Sequence, residues 1–424
     1  MNNLKYIDEI NKDSLELSIN NNYLLEKKLN CKRIENAYIL PAKFVDGIPY
    51  GGPLGGIFTQ EKEFVQNSLL MIDGGWYEFN EQELVYEDKT VLFVGTFFSG
   101  WGHFITDTLK HLWYLQCEEY LNLKHKNIEL IFNEIPEFKL HKNHLQLLSL
   151  FGINNSDIRI IKTPTKFKEI FFPDSCFTRI KVGEEYFGRK YTLDYLDIIN
   201  HLTNQVQIKR NYPESIYYSR TGLKDPRDVG EKDIEKLFKK MNFKIIKPEN
   251  LSFIEQLTIL KNCKRFASTE GSISHNAIFL NKGTEVIIIR KYSGINDYQL
   301  VVNSAKELNV VYIDSHLTVP KIDGFGGPFF IYVNDNLKKF AKDFGNIEFT
   351  YSGFYFSKYT SYLRKLIIST KFNEIIIDSN YENILKKEMS YTSLRFRIYR
   401  EFSKNFPFLL NIIPAKLIKK FLRT

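Results

Sequence analysis

Hydrophobic and polar positions follow two different rhythms along the chain. Up to about residue 210, short apolar runs typical of strands, such as "NAYILPAKFV", "KTVLFVGTFF" and "EIFFPDS", are irregularly spaced between Gly-rich segments. Helical patterns lie at 103–116 and 142–150, and the segment "GRKYTLDYLDIINHLTNQVQI" predicts a further helix. This part predicts an α/β lobe with an elaborated N-terminal region.

From Ser215 onward the rhythm becomes regular. The strand-like runs "SIYYSR", "KIIKP", "RFAST", "TEVIIIR" and "NVVYID" are separated by the helical runs "EKDIEKLFKKM", "SFIEQLTILKNC" and "SISHNAIFLN". Such alternation predicts a parallel, doubly wound sheet that binds its ligand beyond the carboxyl ends of the strands. We therefore divide the chain into a lobe at 1–210, a doubly wound lobe at 211–330 and a helical tail at 331–424.

The helix predicted in "FFSGWGHFITDTLKHLWYL" carries polar residues within an apolar pattern. His103, Asp107 and His111 stand at i, i+4 and i+8, which places them on one face of a regular helix. That face is either a reaction site or a polar seam in which His103 and Asp107 bond to each other. Three ligands spread over about 12 Å of helical rise cannot share one metal ion, and we predict no metal site. His141 and His144 lie on a separate polar helix and are expected to face solvent.

Length and cysteine usage narrow the setting. A chain of 424 residues suggests two domains and an appendage. Its four cysteines, isolated from one another, favour neither a zinc site nor a disulfide framework. The first residues lack the basic and apolar segments of a secretion signal, and no run of about 18 apolar residues occurs, so we expect a cytoplasmic protein.

The positive charge is concentrated near the end of the sequence. Residues 357–424 hold 14 Lys and Arg against 5 Asp and Glu, whereas the whole chain has a net charge of +8. Basic residues alternate there with apolar and aromatic ones, as in amphipathic helices that lie on an anionic membrane. The alternative is that these helices pack on the protein and expose a solvated basic face. The nearly neutral remainder argues against nucleic acid as a partner.

The segments "FASTEGSISHNAIF" and "YYSRTGLKDPRDV" suggest an anion site at the edge of the second sheet. Gly271 permits a tight turn, and Ser272 or Ser274 can cap a helix whose N-terminal N–H groups attract anions. Arg220 and Arg227 follow a neighbouring strand and can hold a diphosphate. They can instead be loop arginines paired with Asp225 or Asp228. Neither G-x-x-x-x-G-K-[ST] nor G-x-G-x-x-G occurs, so the usual phosphate loops are absent.

Taken together, these motifs resemble glycosyltransferase family 61. The ordered series comprises strand-Ser-Arg, a second Arg, "KPEN", "SFIEQ", the turn at Gly271 and "NAIF", and the helix "HFITDTL" matches the family's aromatic-flanked His-Phe-x-x-Asp-x-Leu. The resemblance covers about residues 90–295. It implies two facing Rossmann-like lobes of the GT-B type and an inverting, metal-independent transfer from a nucleotide sugar. The chain departs from the family at Glu270, where many members have His, and at Asn242, where Gly is usual.

The resemblance also implies roles for single residues. Asp107 is the favoured base with His103 as its partner, although the reverse assignment stays open. Donor-binding roles fall on the residues of the second lobe near its carboxyl edge: Arg220, Arg227, Glu249, Glu270, Gly271, Ser272, His275 and Asn276. No cofactor is expected, and the partners are a nucleotide sugar, a glycan or lipid-linked acceptor and an anionic membrane surface.

The basic tail also predicts where in the cell the protein acts. We expect assembly of a bacterial capsule or lipopolysaccharide on the inner face of the cell membrane. Two other classes remain open: a non-catalytic protein that binds glycans or nucleotide sugars, and a metal-dependent hydrolase centred on His103 and Asp107.

Overall fold

The structure is a computed structural model of the chain. It describes residues 4–44, 54–69, 74–98, 100–124, 127–135, 138–182, 185–207, 212–224, 227–317, 327–349, 358–359, 361–363 and 365–366. Residues 367–424, which hold most of the predicted basic tail, lie outside the described residues.

The first half of the described chain is built on a mixed sheet. Its strands are β1 (Cys31–Lys43), β2 (Leu54–Phe58), β3 (Val85–Phe97), β4 (Glu129–Glu134), β5 (Arg159–Ile160) and β6 (Thr165–Pro173). Within the described residues they form a six-stranded sheet in the order β2-β1-β6-β3-β4-β5. β1 runs antiparallel to β2 and β6, whereas β3 runs parallel to β4 and β6. The apolar runs predicted as strands therefore lie in one sheet.

Helices and a hairpin complete this half. The helices are α1 (Glu9–Ile19), α2 (Trp101–His103), α3 (Glu118–Lys124), α4 (Lys142–Ser149) and α5 (Leu193–Asn204). A π-helical segment (Phe104–Thr108) and a 3₁₀ segment (Leu109–Gln116) continue α2, and short 3₁₀ turns occur at Glu81–Glu83 and Asn155–Asp157. The hairpin consists of β7 (Phe177–Val182) and β8 (Glu185–Tyr191). The helix predicted from Gly188 was wrong in its first residues, because they belong to β8.

The second half contains the predicted parallel sheet. The strands described in this half are β9 (Ser215–Tyr218), β10 (Asp228–Val229), β11 (Lys244–Ile246), β12 (Arg265–Thr269), β13 (Glu285–Arg290), β14 (Asn309–Asp314) and β15 (Phe329–Phe330). Five of them pair in parallel in the order β11-β9-β12-β13-β14, and β10 pairs with β15 in the described part of the chain. The sequence prediction of a parallel α/β sheet is confirmed.

The connections of this sheet are largely helical. They are α6 (Glu231–Lys240), a 3₁₀ turn at Pro248–Asn250, α7 (Phe253–Asn262), a 3₁₀ helix at Ser274–Phe279 and α8 (Asp297–Ala305), and a further helix, α9 (Asp335–Gly345), follows β15. The helix predicted at "SISHNAIFLN" is thus a short 3₁₀ helix. The sequence analysis did not identify α8, which contributes to the site below.

The two sheets share apolar packing. One continuous cluster of buried side chains includes Leu92 and Phe132 from the first sheet and Ile216, Phe266 and Ile288 from the second. Burial of this apolar surface holds the two halves of the chain together. A segment from the first residues packs on the second half, because Tyr6 forms an isolated parallel β-bridge with Ile313 of β14.

The beginning of the predicted tail packs on the body. In α9, Leu337, Phe340 and Ala341 are buried at i, i+3 and i+4, which explains why this segment is helical and where it docks. Tyr362 and Leu363 are also buried. Among the helices that the structure describes, none combines the length and apolar character needed to cross a membrane.

Candidate functional site

The segment that carries His103 and Asp107 is an irregular helix in contact with β3. The strand has a bulge between Phe93 and Gly95. A Cβ on Gly95 would lie 2.9 Å from the carbonyl oxygen of Thr108, so a side chain there would push the helix away. The hydroxyl of Thr108 donates to the carbonyl of Thr96 at 2.7 Å and fixes the same contact. Thr108 is the last residue of the π-helical segment, and such helix irregularities are frequent at functional sites.

His103 and Asp107 form a hydrogen-bonded pair, as their spacing predicted. His103 Nδ1 lies 2.8 Å from Asp107 Oδ2. The same carboxylate oxygen accepts the hydroxyl of Thr106 at 3.0 Å and that of Tyr298 at 3.1 Å. Asp107 is only 3% exposed, whereas the side chain of His103 is 33% exposed. Of the two, His103 is therefore the one that an external group can reach.

The electrostatic surroundings keep Asp107 ionised. Burial opposes its charge, but the hydrogen bond from His103 and the electrostatic effect of His103, Lys110 and Arg189 outweigh burial and lower the pKa of Asp107 to about 2. A carboxylate held so strongly in its charged form is a weak proton acceptor. Because Asp107 accepts from Nδ1, His103 presents Nε2, for which the described residues supply no hydrogen bond.

His111 does not share the face of the pair, because the π turn changes the phase of the helix. Its Nδ1 lies 2.8 Å from the carbonyl oxygen of Pro173 and its Nε2 lies 3.3 Å from that of Asn67. Burial, together with the charge of Lys110, lowers the pKa of His111 to about 3 and keeps the ring neutral. The prediction of three aligned side chains was wrong for His111, and its role is to join the helix to the first sheet.

A cleft of about 850 Å³ lies between the start of this helix and the carboxyl edge of the parallel sheet. Its walls are Gly100, Trp101 and residues 141–144 on one side, and Arg220, Leu223, residues 248–252, Gln256, Ser272, Ile273 and Asn276 on the other. The chain leaves β9 toward β11 on one side and leaves the adjacent β12 toward β13 on the other, so the cleft at their carboxyl ends lies at the topological switch point. That is where doubly wound sheets bind their ligands.

Arg220 lies at the mouth of this crevice, directly after β9. Its backbone N–H donates to Glu231 Oε1 at 3.1 Å, and its guanidinium lies 4.0 Å from Asp228 Oδ2. Asp228 is already bound by Lys291 at 3.1 Å, so one carboxylate faces two cations. The excess positive charge favours an anion beside Arg220. Arg227, predicted to act with it, is exposed and does not line the cleft.

The turn after β12 supplies a second group for an anion. Gly271 adopts a φ of +117°, a conformation that other residues rarely take, and Ser272 follows it into the cleft wall. The hydroxyl of Ser274 bonds the backbone of Gly271 and closes the turn. Asn276 accepts a hydrogen bond from Trp101 Nε1 at 2.9 Å, which ties this turn to the opposite wall.

The two walls also meet at Gly102. A Cβ on Gly102 would lie 2.7 Å from His275 Nδ1 and 2.9 Å from Ser272 Oγ, so only glycine lets the helix approach this closely. His275 is 6% exposed, and its Nδ1 has no hydrogen-bond partner among the described residues. Its place is the contact between the walls, next to the cleft lining.

The two predicted glutamates differ in position. Glu249 lines the cleft after β11, opposite Trp101. Glu270 is 2% exposed and lies outside the cleft lining, and burial raises its pKa to about 7. Of the two, Glu249 is the one in reach of a ligand in the cleft.

His144 was wrongly predicted to face solvent. Its ring is 3% exposed and stacks with Trp101 and Phe104 at centroid distances of 5.6 and 4.3 Å. Its Nδ1 accepts the backbone N–H of His141, which caps α4. Among the described residues, no three His, Cys, Asp or Glu side chains are grouped to hold a metal ion.

A larger groove of about 1080 Å³ lies on the first sheet, and several of its charged residues form ion pairs. Arg159 is bound by Glu87 and by Glu129, the latter at 2.9 Å. Lys89 lies 3.4 Å from both of these carboxylates. The cleft at the switch point, with its excess of cations, is the better candidate for an anionic ligand.

Sequence reasoning missed Thr106, Arg189 and Tyr298. Tyr298 is separated from Asp107 by 191 residues and lies on α8, for which no helix was predicted. Thr106 is adjacent to Asp107 and was available in the motif "HFITDTL", where the residue before the aspartate can donate to it.

Comparison with known proteins supports the same region. Residues 101–287 match the family model Glycosyltransferase 61, which confirms the resemblance predicted from the motifs. The matched range includes the His103–Asp107 pair and the cleft residues from Arg220 to Asn276. No curated protein matches the chain.

Proposed function

Since residues 101–287 match the family model Glycosyltransferase 61, we propose that the protein is an inverting, metal-independent glycosyltransferase that uses a nucleotide sugar. Its acceptor is a growing bacterial surface polysaccharide, either capsule or lipopolysaccharide. The observation that carries the proposal is the cleft at the switch point, which joins anion-binding groups on the sheet to the helix of the His103–Asp107 pair.

Donor binding uses the groups on the sheet side. The guanidinium of Arg220 and the backbone and hydroxyl groups of the turn at Gly271 and Ser272 receive the diphosphate. Glu249 accepts a hydrogen bond from a hydroxyl group of the ribose or of the sugar. These cationic and N–H groups also stabilise the charge that develops on the leaving nucleoside diphosphate, without a metal ion.

Proton removal uses the helix side. The oxygen of the acceptor hydroxyl attacks the anomeric carbon, the bond from that carbon to the diphosphate oxygen breaks, and its electron pair leaves with the diphosphate. The hydroxyl proton passes to His103 Nε2, and Asp107 stabilises the resulting imidazolium. The Cα of His103 lies within about 6 Å of the lining residue Trp101, because the two are separated by one residue of helix.

The membrane is proposed as the place of transfer. Residues 357–424 carry 14 basic and 5 acidic side chains, and clusters of this kind bind anionic lipid surfaces. We expect the full chain to sediment with anionic liposomes at low salt, and a chain that ends at residue 366 to stay in the supernatant. This truncation keeps the buried Tyr362, Leu363 and Leu366. Equal sedimentation of both chains would contradict membrane docking by the tail.

Turnover of the donor tests the proposed function. The full chain is incubated with UDP-, GDP- and CMP-sugars in EDTA, and release of the nucleotide is followed. We expect one donor class to be consumed, slowly with water and faster with an acceptor glycan. Absence of turnover in EDTA, with recovery in Mg²⁺ or Mn²⁺, would contradict metal independence, and absence under both conditions would contradict the enzyme assignment.

A further inference from the structure

A tyrosine from the second half of the chain reaches the proposed base pair. The hydroxyl of Tyr298 lies 3.1 Å from Asp107 Oδ2 and 3.2 Å from His103 Nδ1. Since His103 donates to the carboxylate from Nδ1, the tyrosine hydroxyl donates to the same carboxylate oxygen. Of the three donors to Oδ2, Tyr298 is the one that comes from outside the helix of the pair.

Neighbouring residues hold the ring of Tyr298 in place. The guanidinium of Arg189 lies 3.6 Å from its ring centroid, and Arg189 also pairs with Asp297, the residue before Tyr298. The ring of Phe177 lies parallel to that of Tyr298 at a centroid distance of 5.8 Å. Tyr298 is 9% exposed and Arg189 is 7% exposed. The hydroxyl therefore points to Asp107 from a rigid, desolvated position.

The charged groups near Asp107 do not replace this contact. Lys110, on the same helix, is fully buried, and within the part of the chain that the structure describes its Nζ has no hydrogen-bond partner. Arg189 from β8 acts on Asp107 through its charge and is directed to Asp297. His275, from the 3₁₀ helix, bonds to Asn296 at 3.4 Å. Lys110 and Arg189 supply charge, whereas His275 is neutral because burial lowers its pKa to about 3, so orientation of the carboxylate depends on Thr106 and Tyr298.

We propose that Tyr298 is a positioning residue, which fixes the Asp107 carboxylate so that His103 keeps its proton on Nδ1 and presents Nε2 to the acceptor. The inference rests on the proposed function. Tyr298 need not touch the substrate: it acts by restricting rotation of the carboxylate, and so selects one histidine tautomer.

Tyr298→Phe tests this role, because it removes the hydroxyl and keeps the ring between Arg189 and Phe177. We expect kcat to fall about tenfold, as for loss of one hydrogen bond to a charged group, with the KM for the donor unchanged within about twofold. Long-range ¹H–¹⁵N spectra of labelled His103 report the tautomer directly. We expect the Nδ1–H form in the wild-type protein and a mixture with the Nε2–H form in the variant.

Tyr312→Phe is the matched control. Tyr312 is also a buried tyrosine with a hydrogen-bonded hydroxyl, but its partner is Asn303 at 2.7 Å. This control should leave the tautomer ratio and kcat unchanged. A tautomer ratio unaltered by Tyr298→Phe would overturn the proposal. If the wild-type protein shows no turnover, the proposed function fails, but the tautomer ratio still decides whether Tyr298 positions the pair.

Discussion

His103→Ala lowers turnover of the nucleotide sugar about 10³-fold, within the range of about 10²- to 10⁴-fold that general bases contribute. The reason is that Nε2 of His103 is the exposed acceptor of the pair. Asp107 is buried, and three hydrogen-bond donors stabilise its charged form. Donor affinity should change by less than about twofold, because His103 does not line the cleft. Steady-state kinetics and calorimetric titration with the nucleotide measure the two quantities separately.

His201→Ala provides the control for loss of a histidine. His201 is half-buried and its Nε2 bonds the carbonyl oxygen of Leu150 at 2.8 Å, away from the cleft. We expect near wild-type turnover from this variant. Asp107→Asn should also lower turnover, since the imidazolium loses its counter-charge. Full loss in Asp107→Asn together with near wild-type turnover in His103→Ala would instead identify Asp107 as the base, the assignment first favoured from the sequence.

Arg220→Ala weakens binding of the nucleoside diphosphate by about 10- to 100-fold, as expected for loss of charge-assisted bonds worth about 1.5–3 kcal/mol. Arg220 lies in the cleft wall, and its guanidinium is only loosely held by Asp228 at 4.0 Å, so it can turn to a ligand. Arg220→Lys should retain part of the affinity through its charge but lose the bidentate geometry. Isothermal titration in EDTA measures all three dissociation constants.

Arg265→Ala is the matched control for this loss of charge. Arg265 begins β12 at the opposite edge of the same sheet and bonds Glu285 at 2.8 Å. Its removal should leave nucleotide affinity unchanged, and so should Arg227→Ala, because Arg227 does not line the cleft. Equal affinities for wild-type protein and Arg220→Ala would place the diphosphate elsewhere.

The parallel sheet could be predicted because its strands are short apolar runs, several of which are separated by helical runs. In α6, Ile234, Leu237 and Phe238 are buried at i, i+3 and i+4, a pattern visible in the sequence alone. Helix α8 was missed, since its residues are buried on several sides, including the polar Gln299, and no clear amphipathic period remains. Strand order was inaccessible because pairing depends on contacts between distant segments.

Only those features of the site that depend on local sequence spacing could be predicted. The His103–Asp107 bond follows from i, i+4 spacing, and Arg220, Glu249 and Ser272 follow from their positions after strands. The π turn, which lies between His103 and His111 and contacts β3 at Gly95, has no local signal in the sequence. Tyr298 and the burial of His144 depend on side chains supplied by other segments.

A crystal structure of the protein with the nucleoside diphosphate of its preferred donor tests the central claim most directly. We expect the diphosphate in the cleft, with its oxygens within hydrogen-bond distance of Arg220 and of the turn at Gly271 and Ser272. The terminal phosphate, to which the sugar of the donor is attached, should be directed toward His103 Nε2. A diphosphate bound outside the cleft, or a sugar position directed away from His103, would contradict the account.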